Sequence, residues 1–211
     1  MVESISKANQ NKITEFVKDE IIFFGIGNAK YDKVVKFEQE KGKNTYKVEA
    51  AFADLDQAGV DCENFFKYLK MYDGTFRRFE QKNELPEEKD IRDASGKAYN
   101  CFILKDANME YIVRVLRLIR DYIREQSNSG KKVVLFTLVA GHGMIVDNEQ
   151  VVLCNKITDK RFYQIFPIQS LICSIAAEMD NLYSITAFAC CRQKFIAKDF
   201  YKFFKSDGDE V

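Results

Sequence analysis

The stretch Val133-Val134-Leu135-Phe136-Thr137-Leu138-Val139-Ala140-Gly141-His142-Gly143 decides how this chain is read. Its apolar residues run almost without interruption, as a strand buried on both faces requires. The run stops at the one histidine in the sequence. A second run, Leu182 to Cys190, stops in the same manner at Cys190-Cys191-Arg192-Gln193. A third, Ile21-Ile22-Phe23-Phe24-Gly25-Ile26-Gly27, has the same continuous character. Tyr99–Leu104 is a further strand candidate, and a short strand is predicted within 75–80.

Helical spacing lies between these runs. Phe52, Leu55, Gly59, Cys62, Phe66 and Leu69 recur every three or four residues and predict a helix over 50–72. Met109, Ile112, Val113, Leu116, Ile119 and Ile123 predict an amphipathic helix capped by Asp106 or Asn108 and stopped by Ser127-Asn128-Ser129-Gly130. Asp147-Asn148 predicts a hairpin turn into Val151–Cys154. Pro167 is placed to open a helix reaching Met179. Residues 29–48 and 74–98 are densely charged and read as excursions from the core. Strands alternating with helices predict an α/β fold: an open, mostly parallel sheet flanked by helices in three layers, α/β/α.

Composition sets bounds on this reading. A chain of 211 residues with 46% apolar and 30% charged residues is expected to form one soluble domain. With 32 basic and 32 acidic residues and no basic stripe among aromatics, nucleic acid is not an expected partner. No apolar run is long enough to span a bilayer, and the first twenty residues lack the apolar centre of a secretory signal. The six cysteines, at 62, 101, 154, 173, 190 and 191, form no CxxC pair, so neither a metal site nor a disulfide framework is expected. Reduced thiols in a cytoplasmic protein follow. Cys62, Cys101, Cys154 and Cys173 are expected to be small buried apolar residues. Gly25-X-Gly27 after a strand lacks the third glycine and the following helix of a dinucleotide fingerprint, so nucleotide binding is not expected.

In open α/β sheets ligands bind beyond the carboxyl ends of the strands. His142 and Cys191 both fall there. A thiol with an ordinary pKa near ~8.5 is only partly ionised at neutral pH, and an adjacent imidazole that takes its proton makes it a competent nucleophile. Gly141 and Gly143 are expected to leave the histidine loop uncrowded. The N–H groups of Gly143 and Cys191 are the candidate oxyanion hole. A lone histidine after a strand is usually structural, and a cysteine pair at a strand end is usually packing. Their joint placement at two strand ends, 49 residues apart from 142 to 191, favours chemistry.

These residues carry a resemblance. Gly141-His142-Gly143 is similar to the Ser-Gly-His-Gly of the caspase-like peptidases (caspases, metacaspases and paracaspases), with Ala140 in place of the serine. Ala189-Cys190-Cys191-Arg192 is similar to the Asp-X-Cys-Arg of paracaspases and the Ala-Cys-Arg of caspases. Phe23 to Tyr31 resembles the first strand of metacaspases and its turn. Ala53-Asp54-Leu55-Asp56 resembles the family's segment with an early aspartate, and Leu104-Lys105-Asp106-Ala107-Asn108 the stretch before its next helix. The resemblance covers residues 20–193 and implies a large catalytic subunit over 20–194, with an extension over 1–19 and a C-terminal helix and acidic tail over 195–211.

It implies His142 as general base and Cys191 as nucleophile of a peptidase acting on polypeptides without a cofactor, calcium dependence being left open. Cys190, Ala189 and Arg192 are the substrate-pocket candidates. Ala189 stands where many relatives of this type carry an aspartate, so selectivity for arginine or lysine is not implied. Only 20 residues follow Cys191, too few for the family's small subunit. The resemblance therefore implies a separate small-subunit-like chain or a homo-oligomer, or else a non-catalytic scaffold built on the same fold. Phe195, Phe200, Phe203 and Phe204 predict that the last helix covers the sheet edge or recruits a partner there.

Overall fold

The computed structural model describes residues 19–31, 38–39, 46–47, 54–72, 74–146, 149–154, 165–190 and 193–195. Its centre is β1 (Glu20–Gly27), in which Ile22, Phe23, Phe24 and Ile26 are fully buried. A strand without a polar face must be covered on both sides, and β1 is also paired along both edges. β5 (Cys101–Lys105) runs parallel to it on one side and β6 (Val133–Gly141) on the other. The two-residue β4 (Arg78–Phe79) extends the sheet beyond β5, and β10 (Leu182–Cys190) extends it beyond β6. The order β10-β6-β1-β5-β4 is parallel throughout. Two-residue strands β2 (Glu38–Gln39) and β3 (Tyr46–Lys47) pair with each other within the first charged excursion.

Side chains alternate across β1 and meet different helices. Phe23 packs with Ala58, Cys62 and Phe66 of α1 (Ala58–Tyr72). Ile22, Phe24 and Ile26 share the larger cluster with Ile112, Val115 and Ile119 of α2 (Met109–Asn128) and Ile172 and Ile175 of α3 (Ile168–Ala177). Helices thus lie on both faces, the three-layer α/β/α arrangement expected from the sequence. β7 (Gly143–Val146) and β8 (Glu149–Leu153) form an antiparallel hairpin directly after His142. With β9 (Ile165–Phe166) and β11 (Gln193–Phe195) they make a second, four-stranded sheet.

Some expectations shift. The helix expected from residue 50 starts only at Ala58, because the segment before it is used otherwise: Leu55 N–H bonds the Ala29 carbonyl, and the Asp54 carboxylate accepts from Tyr31 N–H. Phe52 lies outside the described residues. Of the two proposed caps on α2, Asn108 serves, its side chain accepting from Tyr111 N–H, while Asp106 does something else. The buried stripe of α2 runs through Val115, with Val113 only partly buried. Phe195, expected to open a helix, ends β11, and residues 196–211 lie outside the described set. Cys173 is exposed on α3, whereas Cys62, Cys101 and Cys154 are buried as expected.

Gly27 shows how tightly α1 is set against β1. A Cβ there would lie 2.7 Å from the Ala58 carbonyl oxygen and 2.8 Å from Gly59 Cα, both backbone atoms that cannot rotate away. Gly27→Ala is expected to destabilise the fold by roughly 1–3 kcal/mol through overpacking, read as a lower urea midpoint. Asn108→Ala, which removes the α2 cap, is expected to lower stability by about 1 kcal/mol in the same measurement.

Candidate active site

The chain passes from β1 to β5 on one side, then crosses back to β6 on the other. The carboxyl ends of β1 and β6 therefore flank a topological switch point, where the departing loops separate and leave a crevice. The loop after β1 holds Asn28 and Tyr31; the end of β6 delivers Gly141, His142 and Gly143. The parallel register puts Gly27 opposite Ala140 on one side, and Cys190 opposite Gly141 on the other. Three adjacent strands thus end beside the histidine because they run in the same direction.

His142 is held by its backbone. Its N–H donates to the Tyr31 hydroxyl at 2.8 Å, and its carbonyl accepts from Leu153 N–H of β8 at 3.0 Å. The Tyr31 hydroxyl in turn donates to the Asn28 carbonyl at 3.0 Å, and its ring packs on the imidazole with centroids 4.7 Å apart. Burial pushes the Tyr31 phenol above its ordinary range, against the smaller opposing pull of the His142 N–H. The hydroxyl thus stays protonated and keeps both roles. Asn28, fully buried, donates from Nδ2 to the Leu153 carbonyl at 3.0 Å and from its backbone to the Ala140 carbonyl. Among the described residues its Oδ1 has no hydrogen-bond partner.

Two carboxylates fix the loop that carries Tyr31. Asp106, at φ +49 beyond the end of β5, accepts from the Ala29 and Lys30 N–H groups, each at 2.7 Å. An Asp tolerates that left-handed backbone better than most residues. Asp54 accepts from Tyr31 N–H with one oxygen and from Lys30 Nζ with the other, both at 3.0 Å. The Tyr31 N–H, then Lys30, hold the Asp54 carboxyl below its ordinary value.

The glycines flanking His142 are crowded, contrary to the expectation of an open loop. Gly141 has φ +148, and a Cβ there would sit 3.0 Å from the Tyr31 hydroxyl and 3.1 Å from the Asn28 carbonyl oxygen. Gly143 is buried, and a Cβ there would fall 2.9 Å from Cys190 Sγ, 2.9 Å from the Val151 carbonyl oxygen and 3.0 Å from Gln150 Nε2. The Cys190 thiol is thus packed against the β7–β8 hairpin, with buried Gln150 Nε2 at 3.5 Å. Ala189, on the opposite face of β10, is exposed. Cys191 and Arg192 lie outside the described residues. Among the other thiols, burial pushes Cys62, Cys101 and Cys154 each up to about 12, which leaves them protonated and unreactive.

The structure therefore brings His142, Gly143 and Cys190 together at one sheet edge. It adds Tyr31, Asn28, Gln150, Asp54 and Asp106, which no motif had marked as site residues. The position of Tyr31 in the first loop after the central strand was the available signal. Among the described residues no group of three His, Cys, Asp or Glu side chains is arranged to hold a metal ion, and no helix is long and apolar enough to cross a membrane. No protein-family model matches the chain, and no match is found among curated proteins.

Tyr31→Phe keeps the ring against the imidazole but removes the hydroxyl that accepts from the His142 N–H and donates to the Asn28 carbonyl. It is expected to destabilise the fold by ~1–3 kcal/mol in urea titration. The Asp54 contribution has a defined pH sign. With its folded pKa lowered, it is present above the unfolded value of 3.8 and is lost as pH falls from there through the folded value. Thermal melts between pH 5 and pH 2.5, a range of about 2.5 units chosen to bracket that titration, should show a smaller acid loss for Asp54→Asn than for the unaltered chain.

Proposed function

We propose that this chain is a caspase-like cysteine endopeptidase that hydrolyses peptide bonds with Cys191 as nucleophile and His142 as general base. The observation that carries the reading is the register pairing Gly141 with Cys190. His142 is one peptide bond beyond the first residue and Cys191 one beyond the second. β6 and β10 are neighbouring parallel strands that end at the same end of the sheet, so the two residues are each next in the chain after one of a pair of adjacent strand ends. The packing of Cys190 against Gly143 and Gln150 supports Cys191 over Cys190, since the half-buried Cys190 thiol already lies against the β7–β8 hairpin.

In this mechanism His142 takes the Cys191 proton and the thiolate attacks the scissile carbonyl carbon. The carbonyl electrons move onto oxygen, where the N–H groups of Gly143 and Cys191 are the donors, one such donor contributing about 3 kcal/mol. Collapse expels the amine, which takes the proton from His142, and leaves a thioester. Water, deprotonated by His142, then attacks the thioester, releases the carboxylic acid and restores the thiol. Tyr31 holds the histidine backbone still through both steps. The five described cysteines are all free, which fits a cytoplasmic protein.

One observation favours the rival reading of a non-catalytic scaffold on the same fold. Among the described residues no strand extends the sheet beyond β10, so that side of a substrate groove would have to come from another chain. A peptidyl acyloxymethyl ketone separates the two. On the peptidase reading it labels Cys191, and Cys191→Ala or His142→Ala lowers the labelling rate at least about 10³-fold, while Cys190→Ala retains labelling. A folded chain that takes no label, or one labelled equally well after His142→Ala, overturns the reading.

A further inference from the structure

The two edges of the main sheet are built differently. β4 is two residues long and carries Arg78 in a bidentate ion pair with Glu63. Short, charged edges of this kind resist pairing with other chains. β10 is nine residues long, and Leu182-Tyr183-Ser184-Ile185-Thr186-Ala187-Phe188-Ala189-Cys190 contains no charge and no proline. Tyr183 and Ile185 are 43% and 50% exposed on one face, and Ser184 and Ala189 are exposed as well. Among the described residues no further strand pairs with the outer edge of β10, and no charge or proline on the strand protects it.

We propose that β10 pairs antiparallel with β10 of a second copy of this chain, joining two five-stranded sheets across a two-fold axis at Thr186. The strand itself argues for a copy over an unrelated segment. In a two-fold antiparallel pair, opposed residues share a face, so one residue must oppose itself; full overlap of a strand running from 182 to 190 makes that residue 186. That register sets Tyr183 against Ala189, Ile185 against Ala187, Phe188 against Ser184 and Leu182 against Cys190. Every pair is one large and one small side chain, and Thr186 meets Thr186, a favourable cross-strand pair. No like charges are opposed, because the strand carries none.

The strand seam alone is small. Nine residues at ~3.3 Å give a length of about 30 Å, and a sheet about 10 Å thick then buries on the order of 600 Å² in total. That is below the ~1,200–2,000 Å² of a stable interface, so a flanking element must contribute. α3 lies against β10 as well as β8, with Ile168, Ile172 and Ile175 in the main core. Its exposed residues are Gln169, Ser170, Cys173, Ser174 and Ala177; none is charged and all but Gln169 are small, which permits two such helices to approach closely. This proposal does not rest on the peptidase reading; the two fail separately.

Sedimentation of the full chain over a wide concentration range tests it. A reversible dimer is expected, and Ile185→Lys, which brings an unpaired ammonium into the seam from each copy, should raise its dissociation constant at least about tenfold. Thr186→Cys places a thiol against its own copy and should cross-link under mild oxidation, with peptide mapping locating a 186–186 bond. Ser184→Cys, opposed to Phe188, should form no 184–184 bond. Should Ile185→Lys fail to fold by circular dichroism, the cross-linking pair alone decides. A chain that stays monomeric throughout overturns the proposal, whether or not hydrogen exchange finds 183–189 covered by the chain's own residues. So does a dimer that survives Ile185→Lys unchanged or gives no 186–186 bond.

Discussion

β1 is enclosed on both faces and both edges. That constraint organises the rest of the molecule. Phe23 requires one apolar layer and Ile22, Phe24 and Ile26 require another, so helices must stand on both sides. Its backbone must be paired on both edges, which brings β5 to one side and β6 to the other. Once β6 is parallel to β1, its carboxyl end lies beside the carboxyl end of β1. The histidine then meets the Asn28–Tyr31 loop without any further device. The close approach at Gly27 fixes the first helix against the same strand. The position of the site is a by-product of how the central strand is buried.

Legibility in the sequence followed burial. β1 and β6 were readable because continuous apolar runs are what buried strands of a parallel sheet require; β10 was readable to the residue although only Leu182 on it is buried. The second helix was readable from its 3.6-residue stripe, although periodicity alone did not distinguish Val113 from Val115. What could not be read was decided by polar groups making distant partners. Nothing local to Asp54 says that its carboxylate will bind the Tyr31 N–H rather than extend a helix. Nothing local to Asp106 says that it will accept two backbone N–H groups from residues 29 and 30 rather than cap the helix beside it. Such contacts exist only once the sheet has brought the loops together.

The two glycines around His142 illustrate the same limit. Their presence suggested room for a ligand, but each is required because its neighbours leave no space for a side chain. Tyr31 and Asn28 crowd Gly141, and Cys190, Val151 and Gln150 crowd Gly143. This close packing makes the histidine loop rigid. It also sets the Cys190 thiol against the β7–β8 hairpin, a contact that nothing in the local sequence announces.

Several contacts that hold the histidine and the loop beside it join residues far apart in sequence. Tyr31 and His142 are 111 residues apart, Asn28 and Leu153 are 125 apart, and Ala29 and Asp106 are 77 apart. Each closes a long loop, and loop closure is entropically opposed until the strands that hold its ends have docked. Assembly of the site must therefore be a late event in folding. A chain emerging from the ribosome has β1, its loop and Tyr31 early but cannot fasten them until β6 and β8 have been synthesised and paired. The unfinished polypeptide carries no assembled site, and fasteners that share β6 and β8 should form or come apart together.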